Sequence, residues 1–204
     1  MASIYDLKPA FQDLLRPLVR ALASRGVTAN HVTVAACALS VMTGLVVYRW
    51  AGAAPGVLLL LPLILLLRMA MNAVDGMLAR EHGMRSALGG FLNELIDVIS
   101  DAALYLPFAI LPDVNPPLVI VFVLLAMCSE FSGVVSAAQG ATRRYDGPMG
   151  KSDRAFVIGA LGLVLGLGVE TGPWTNWVFL ALVLLVVITI VNRVRGGLKE
   201  IASR

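Results

Sequence analysis

GVLLLLPLILLLRMAMNAVDGMLA, residues 56–79, is almost wholly apolar, with Arg68 and Asp75 its only charged side chains. At about 1.5 Å per residue, a helix of this length crosses the roughly 30 Å of bilayer hydrocarbon. Working outward, five more stretches read the same way: 31–50, 88–111, 117–139, 155–170 and 175–193. Of these, 88–111 is marginal because it carries carboxylates, and 155–170 because it is short. Breakers separate them: Ala51 to Pro55, Glu81 to Ser86, Pro112 to Pro117, Gly140 to Gly150, and Thr171 to Pro173. The whole chain agrees. Its 204 residues are 58% hydrophobic and only 14% charged, and mean hydropathy is +0.84. A soluble domain of this size needs more polar surface. The expected fold is an all-α integral membrane protein, a bundle of six transmembrane helices. The short gaps leave no linker, so residues 1–204 read as one domain, with the bundle over 28–195. No cleavable signal peptide is evident, because residues 1–25 lack an apolar core segment.

Orientation follows from the basic residues. With both termini cytoplasmic, 14 of the 16 lysines and arginines fall on one side. They cluster before the first span, between spans two and three (Arg80, Arg85), between four and five (Arg143, Arg144, Lys151, Arg154), and after the last (Arg193, Arg195, Lys199, Arg204). Arg49 falls on the other side and Arg68 within a span. This placement explains the basic pI of about 9.1 without nucleic acid as a partner. The expected location is a bacterial inner membrane, with both termini and the working face cytoplasmic. Over residues 1–27, Leu7, Phe11, Leu14, Leu15, Leu18 and Leu22 recur at helical spacing opposite Lys8, Gln12, Arg16 and Arg20. That pattern predicts an N-terminal amphipathic helix, either lying in the interface or packed on the end of the bundle, with a kink at Pro17. Cys37 and Cys128 sit in apolar runs and read as small buried hydrophobes. Gly162 and Gly166 form a GxxxG pair, read as close packing within the bundle.

Charged groups inside a membrane are costly and mark function. Here they gather in spans two and three. Asn72 and Asp75 are three apart, and Asn93, Asp97 and Asp101 are spaced by four, so each set lies along one helix face. The two helices are antiparallel across a short loop, so the faces meet at similar depth. Carboxylates and amide oxygens converging there suit a hard cation, Mg²⁺ or Mn²⁺. A depth count also sets Arg68 level with Asp101 and with Glu130 of span four. A buried ion network among them is the stronger reading for Asp101, and metal ligation the weaker.

Residues 72–97 resemble the signature of the CDP-alcohol phosphotransferase (phosphatidyltransferase) family, D-x2-D-G-x2-A-R-x8-G-x3-D-x3-D. Asp75, Gly76, Ala79, Arg80, Gly89 and Asp97 fall at their places, whereas Asn72 and Asn93 replace the first and third aspartates. The six-span layout is similar too. The resemblance implies a phospholipid-synthesising enzyme that transfers a phosphatidyl group from CDP-diacylglycerol to a polar alcohol, phosphorylated or not. In the family the first three aspartates bind a pair of metal ions and the fourth is also the general base. By position, Asp75 is then a metal ligand and Asp97 the base, with Asn72 and Asn93 offering uncharged oxygens and Asp101 a supplementary ligand. Thr28 to Thr33 is similar to the family's P-N-x2-T stretch, with Ala29 for proline. It places Asn30 and Thr33 with Gly76, Ala79, Arg80 and Gly89 near the nucleotide diphosphate. The alternative for Thr28 or Asn30 is a helix N-cap; His31 is assigned no role. Lys151, Arg154 and Arg143 are candidates for a phosphate on the acceptor. Expected partners are CDP-diacylglycerol, the acceptor alcohol, membrane lipid and a second copy of the chain. The asparagines raise an alternative, a catalytically impaired relative that binds lipid or a partner. A small transporter would place its acids at the midplane and repeat its halves, and neither is visible.

Overall fold

The structure is a computed structural model that describes residues 4–203, with side chains from Phe11 onward. Among the described residues it is all-helical: α1 Ile4–Ser24, α2 Ala29–Trp50, α3 Leu60–Glu81, α4 Ala87–Tyr105, α5 Pro116–Ala138, α6 Lys151–Gly166 and α7 Pro173–Ala202. Short 3₁₀ turns, Pro55–Leu59 and Leu106–Ile110, lead into α3 and out of α4. Four elements are long and apolar enough to cross a membrane: α2, Pro55–Glu81, α5 and α7. α4 and α6 correspond to the two marginal stretches. The first holds Glu94, Asp97 and Asp101, and the second is only 16 residues long.

Local chemistry sets the boundaries near the charged end. Thr28 caps α2, its hydroxyl accepting from the His31 amide at 3.3 Å while the Thr28 amide donates to His31 Nδ1. His31, without a role in the sequence, completes this capping box. Gly83, at φ +67°, turns the chain after α3, and Ser86 caps α4 by accepting from the Gly89 amide at 3.0 Å. α6 begins at Lys151, four residues earlier than the apolar run suggested. Asp153 accepts from the Gly150 amide at 3.0 Å and fixes that start. Lys151 and Arg154 therefore stand on the first turn of a helix rather than in a loop.

Two buried clusters hold the bundle together. The larger joins α2 to α7 through Leu61, Leu65, Leu104, Ile158 and Val186, and Tyr105, Phe108, Phe122 and Phe179 meet there with ring centroids 5.8–5.9 Å apart. The smaller packs Val19 of α1 against Val74, Met77 and Leu78 of α3. α1 thus lies on the charged end of α3 with Leu14 and Leu18 exposed. The helix continues through Pro17 without a break. Leu7, Lys8 and Arg204 fall outside the residues whose side chains are described. Large apolar side chains such as Leu45, Leu66, Phe131 and Leu184 point outward, as a lipid-facing surface requires. Cys128 is among the outward-facing residues and Cys37 is only half-buried, so the expectation of two buried cysteines does not hold.

Gly162 and Gly166 do serve packing within the bundle. A Cβ at Gly166 would stand 2.8–2.9 Å from Leu59 side-chain and backbone atoms, and one at Gly162 would stand 3.1 Å from the Leu58 carbonyl oxygen. Gly166→Val is therefore expected to cost about 1–3 kcal/mol by overpacking against backbone that cannot yield. Thermal unfolding in detergent checks this, and an unchanged midpoint would mean that α6 can shift away from the turn before α3.

Candidate functional site

The site lies at the end of the bundle where the basic loops meet. Asp75 is buried on α3, and Thr33 of α2 donates to its Oδ2 at 2.8 Å. The same hydroxyl lies 3.0 Å from the Ala29 carbonyl, so one hydrogen serves two acceptors. Asp75 also stands within electrostatic range of Asp97 and Lys151. A cavity of about 280 Å³ opens beside it, walled by Asn30, Thr33, Asp75, Gly76, Ala79, Gly89 and Asn93. Its two glycines keep the wall open. A Cβ at Gly76 would stand 3.0 Å from an Arg80 guanidinium nitrogen, and one at Gly89 would stand 2.8 Å from the Asn30 side-chain oxygen. Arg80 thus folds back over Gly76 at the rim. Arg85, counted in the sequence only for orientation, lines the same cavity.

Asn72 faces a second cavity, of about 150 Å³, between α3 and α6, which it lines with Arg68, Asp101, Lys151 and Ser152. Asp97 belongs to the charges on that side: Lys151 Nζ is paired with its Oδ1, and Arg68 lies 3.8 Å from the same oxygen. The two asparagines therefore line different cavities.

Behind them runs a buried ion network. Arg68 donates to Asp101 Oδ1 at 2.9 Å, and Arg154 reaches Asp101 Oδ2 at 3.3 Å and Glu130 Oε1 at 2.9 Å. Arg193 lies 3.3 Å from Glu130 Oε1 and also donates to the Ser129 carbonyl. Arg143 bridges Glu94 at 2.6 Å and Glu130 at 3.4 Å. The expected Arg68–Asp101 pair is present, and both Asp101 oxygens are held by arginines. Among the described residues no three His, Cys, Asp or Glu side chains gather to hold a metal. A set of two carboxylates and two amides, as expected here, does not form such a group.

Sequence reasoning missed Arg193, Arg85 and the pairing partners of Lys151 and Arg143. One signal was available: Thr189, Arg193 and Gly197 repeat at i, i+4 on one face of α7, and all are buried. In the loop before α6, Arg144 grips Asp146 with two hydrogen bonds of 2.7 and 2.8 Å and reaches Glu200 at 3.1 Å. That grip holds the Asp146 carboxyl below the usual range, against a smaller opposing effect of burial.

Fold and site together define a helical membrane protein with a carboxylate-bearing cavity at its basic end. Residues 26–191 match the family model for CDP-alcohol phosphatidyltransferase, and the chain belongs to that family. It is 45% identical over 196 residues to the inner membrane protein YnbA of Escherichia coli (strain K12), covering 96% of each chain. It is 26% identical over 174 residues to a phosphatidylinositol phosphate synthase of Mycobacterium marinum, covering 83% of this chain and 70% of that one. The fold is similar to two crystal structures of Mycobacterium tuberculosis phosphatidylinositol phosphate synthase. One, with manganese and citrate, has a TM-score of 0.73 at 24% identity, covering 89% of this chain and 87% of that one. The other, with CDP-DAG bound, has a TM-score of 0.72 at 22% identity, covering 91% and 92%.

Proposed function

We propose that this protein is a metal-dependent phosphatidyltransferase that moves the phosphatidyl group of CDP-diacylglycerol to the hydroxyl of a polar alcohol and releases CMP. One observation carries the reading. Six family-matched residues spaced over 75–97 fold around a single polar end of the bundle, four of them walling one cavity. The mycobacterial relative, solved once with manganese and once with CDP-DAG, supports the same donor and metal class.

The donor chemistry suits one hard divalent cation, toward which Asn72 and Asn93 would have to turn from the separate cavities they line. Asp75 and Asp97 supply two carboxylates, and Asn72 and Asn93 supply amide oxygens, a donor set suited to Mg²⁺ or Mn²⁺. Asp101 and Glu94 add no free charge, because arginines hold both. Asp101 is therefore left out of the proposed ligands. When bound, the ion would offset negative charge on the diphosphate and on the departing CMP. Asn30, Thr33, Gly76, Ala79 and Gly89 surround the place for the cytidine diphosphate, and Arg80 steadies a phosphate at the rim. Asp97 takes the proton of the attacking hydroxyl as the new O–P bond forms. The P–O bond to CMP breaks, and its electron pair leaves with CMP. Lys151, on its flexible stem, can follow the Asp97 carboxylate or release it.

The membrane arrangement belongs to the same proposal. The chain is one domain of six spans in a bacterial inner membrane, with both termini and the site cytoplasmic and α1 at the interface. Acyl chains then stay in lipid while nucleotide and alcohol arrive from water.

The test is CMP release from CDP-diacylglycerol by purified protein with a panel of alcohols. Activity is expected with Mg²⁺ or Mn²⁺, lost with EDTA and restored by metal. Asn72 and Asn93 favour a second reading, an impaired relative. CMP release by Asn72→Asp/Asn93→Asp but not by the wild type would establish that reading and overturn the first.

A further inference from the structure

We propose that Arg85 is a further donor-binding residue, which pairs with the diphosphate of CDP-diacylglycerol from the turn between α3 and α4. This rests on the phosphatidyl-transfer reading and adds to its donor site a residue outside the motif. Arg85 falls among the eight unspecified positions between Arg80 and Gly89.

Most cations at this end of the bundle are already matched. Arg68, Arg143, Lys151, Arg154 and Arg193 each lie against a carboxylate of the chain, and Arg16 and Arg144 do likewise. Arg80 and Arg85 have no such partner among the described residues, and both stand at the cavity beside Asp75, Arg80 over its rim and Arg85 in its wall. The acid nearest to Arg85 in sequence, Glu81, is held by Arg16 at 3.3 Å. Asp75 is the carboxylate in the cavity wall, and it is turned to the Thr33 hydroxyl at 2.8 Å. In the proposed site it also serves the cation. Asn93, uncharged, stands in the same wall where the motif has an acid. The two guanidinium groups therefore have no counter-charge in the chain, and an anion from outside supplies it.

The turn holds Arg85 in place. Gly83, at φ +67°, reverses the chain after α3. Met84 packs against Val74, Met77 and Leu78, and Ser86 is fixed as the cap of α4 by accepting from the Gly89 amide at 3.0 Å. The backbone is thus pinned on both sides of Arg85, while its side chain is exposed at the mouth of the cavity. Two helices also begin there, with Ala29 and Asn30 of α2 and Gly89 and Gly90 of α4 in the wall. The positive ends of both dipoles favour an anion in the same space. A cavity of about 280 Å³ leaves room for a diphosphate, and a guanidinium fork matches two of its oxygens. The bias of basic residues toward the cytoplasm accounts for an arginine on this turn. It does not account for one that lines the donor cavity without a partner.

Binding of CDP and of cytidine to the full chain in nanodiscs tests this, with Mg²⁺ and with EDTA. Wild type should hold CDP more tightly than cytidine. Arg85→Gln is expected to weaken CDP about tenfold, the loss of one hydrogen bond to a charged group, and to leave cytidine unchanged. The same factor in EDTA would show that the effect does not run through the ion. Arg85→Lys should recover part of the loss, since it keeps the charge without the fork. With an acceptor that yields CMP, Arg85→Gln should raise the KM for CDP-diacylglycerol about tenfold and leave kcat little changed, the mark of an interaction made equally in ground and transition states. Equal wild-type affinity for CDP and cytidine overturns the proposal. So does an Arg85→Gln protein with unchanged CDP affinity, or one that loses CDP and cytidine alike, which marks a disturbed cavity. If CMP is released while Arg85→Gln binds CDP as the wild type does, the transfer reading stands and the role of Arg85 falls. If no acceptor yields CMP, the transfer reading fails, and the CDP titration still decides whether Arg85 holds a diphosphate.

Discussion

Asp97→Asn is expected to release CMP with a kcat lower by about 10²–10⁴-fold, the usual contribution of a positioned general base. The substitution keeps the shape of the side chain and removes the carboxylate proposed to accept the proton. Lys151 and Arg68 both approach Asp97, so the variant also leaves two cations less well matched. Two readouts separate these effects. The unfolding midpoint reports the lost pairing, while kcat at saturating acceptor reports the chemistry. Asp75→Asn should fall alongside it, with a stronger dependence on Mg²⁺ or Mn²⁺ concentration, because Asp75 is the other charged ligand proposed. An Asp97→Asn protein with wild-type kcat would remove Asp97 from the base role.

The second large effect is structural. Arg154→Met should destabilise the protein by about 3–5 kcal/mol, the cost of removing one partner from a buried pair. Arg154 is fully buried and serves Asp101, Glu130 and the Ser129 hydroxyl. Arg68 remains on Asp101 and Arg193 on Glu130, which places the expectation toward the low end. Equilibrium unfolding in micelles checks the figure. A loss below about 1 kcal/mol would mean that water reaches the pair and screens it.

Much of the fold was legible in the residues themselves. The apolar runs gave the positions of the helices from α2 to α7, because a lipid-exposed helix needs continuous apolar sequence. The start of α6 was misplaced by four residues. Lys151 and Arg154 look like loop residues in a hydropathy profile, yet they lie on a helix whose start is set by Asp153 and Gly150. The residues walling the cavity beside Asp75 were named through the family resemblance; spacings of three and four grouped Asn72 with Asp75 and Asn93 with Asp97, yet Asn72 and Asn93 line different cavities. The Arg68–Asp101 pair was readable by counting depth along two antiparallel neighbours.

The DGMLAR stretch at 75–80, with Gly89 and Asp97 beyond it, determined the family and the candidate chemistry without any coordinates. The resemblance of these residue types at these spacings carries the family, while short-range periodicity tells only which of them share a helix face, since residues three or four apart on a helix are neighbours whatever the rest of the chain does. The tertiary structure alone decided how the charges are spent. Glu130 meets Arg193, 63 positions along the chain, and Arg143 meets Glu94 across 49. Such partners depend on the rotation and depth at which α4, α5, α6 and α7 pack, and no local pattern encodes either. Whether a basic residue is free to hold a substrate or already holds a carboxylate of its own chain is therefore a property of the packed bundle.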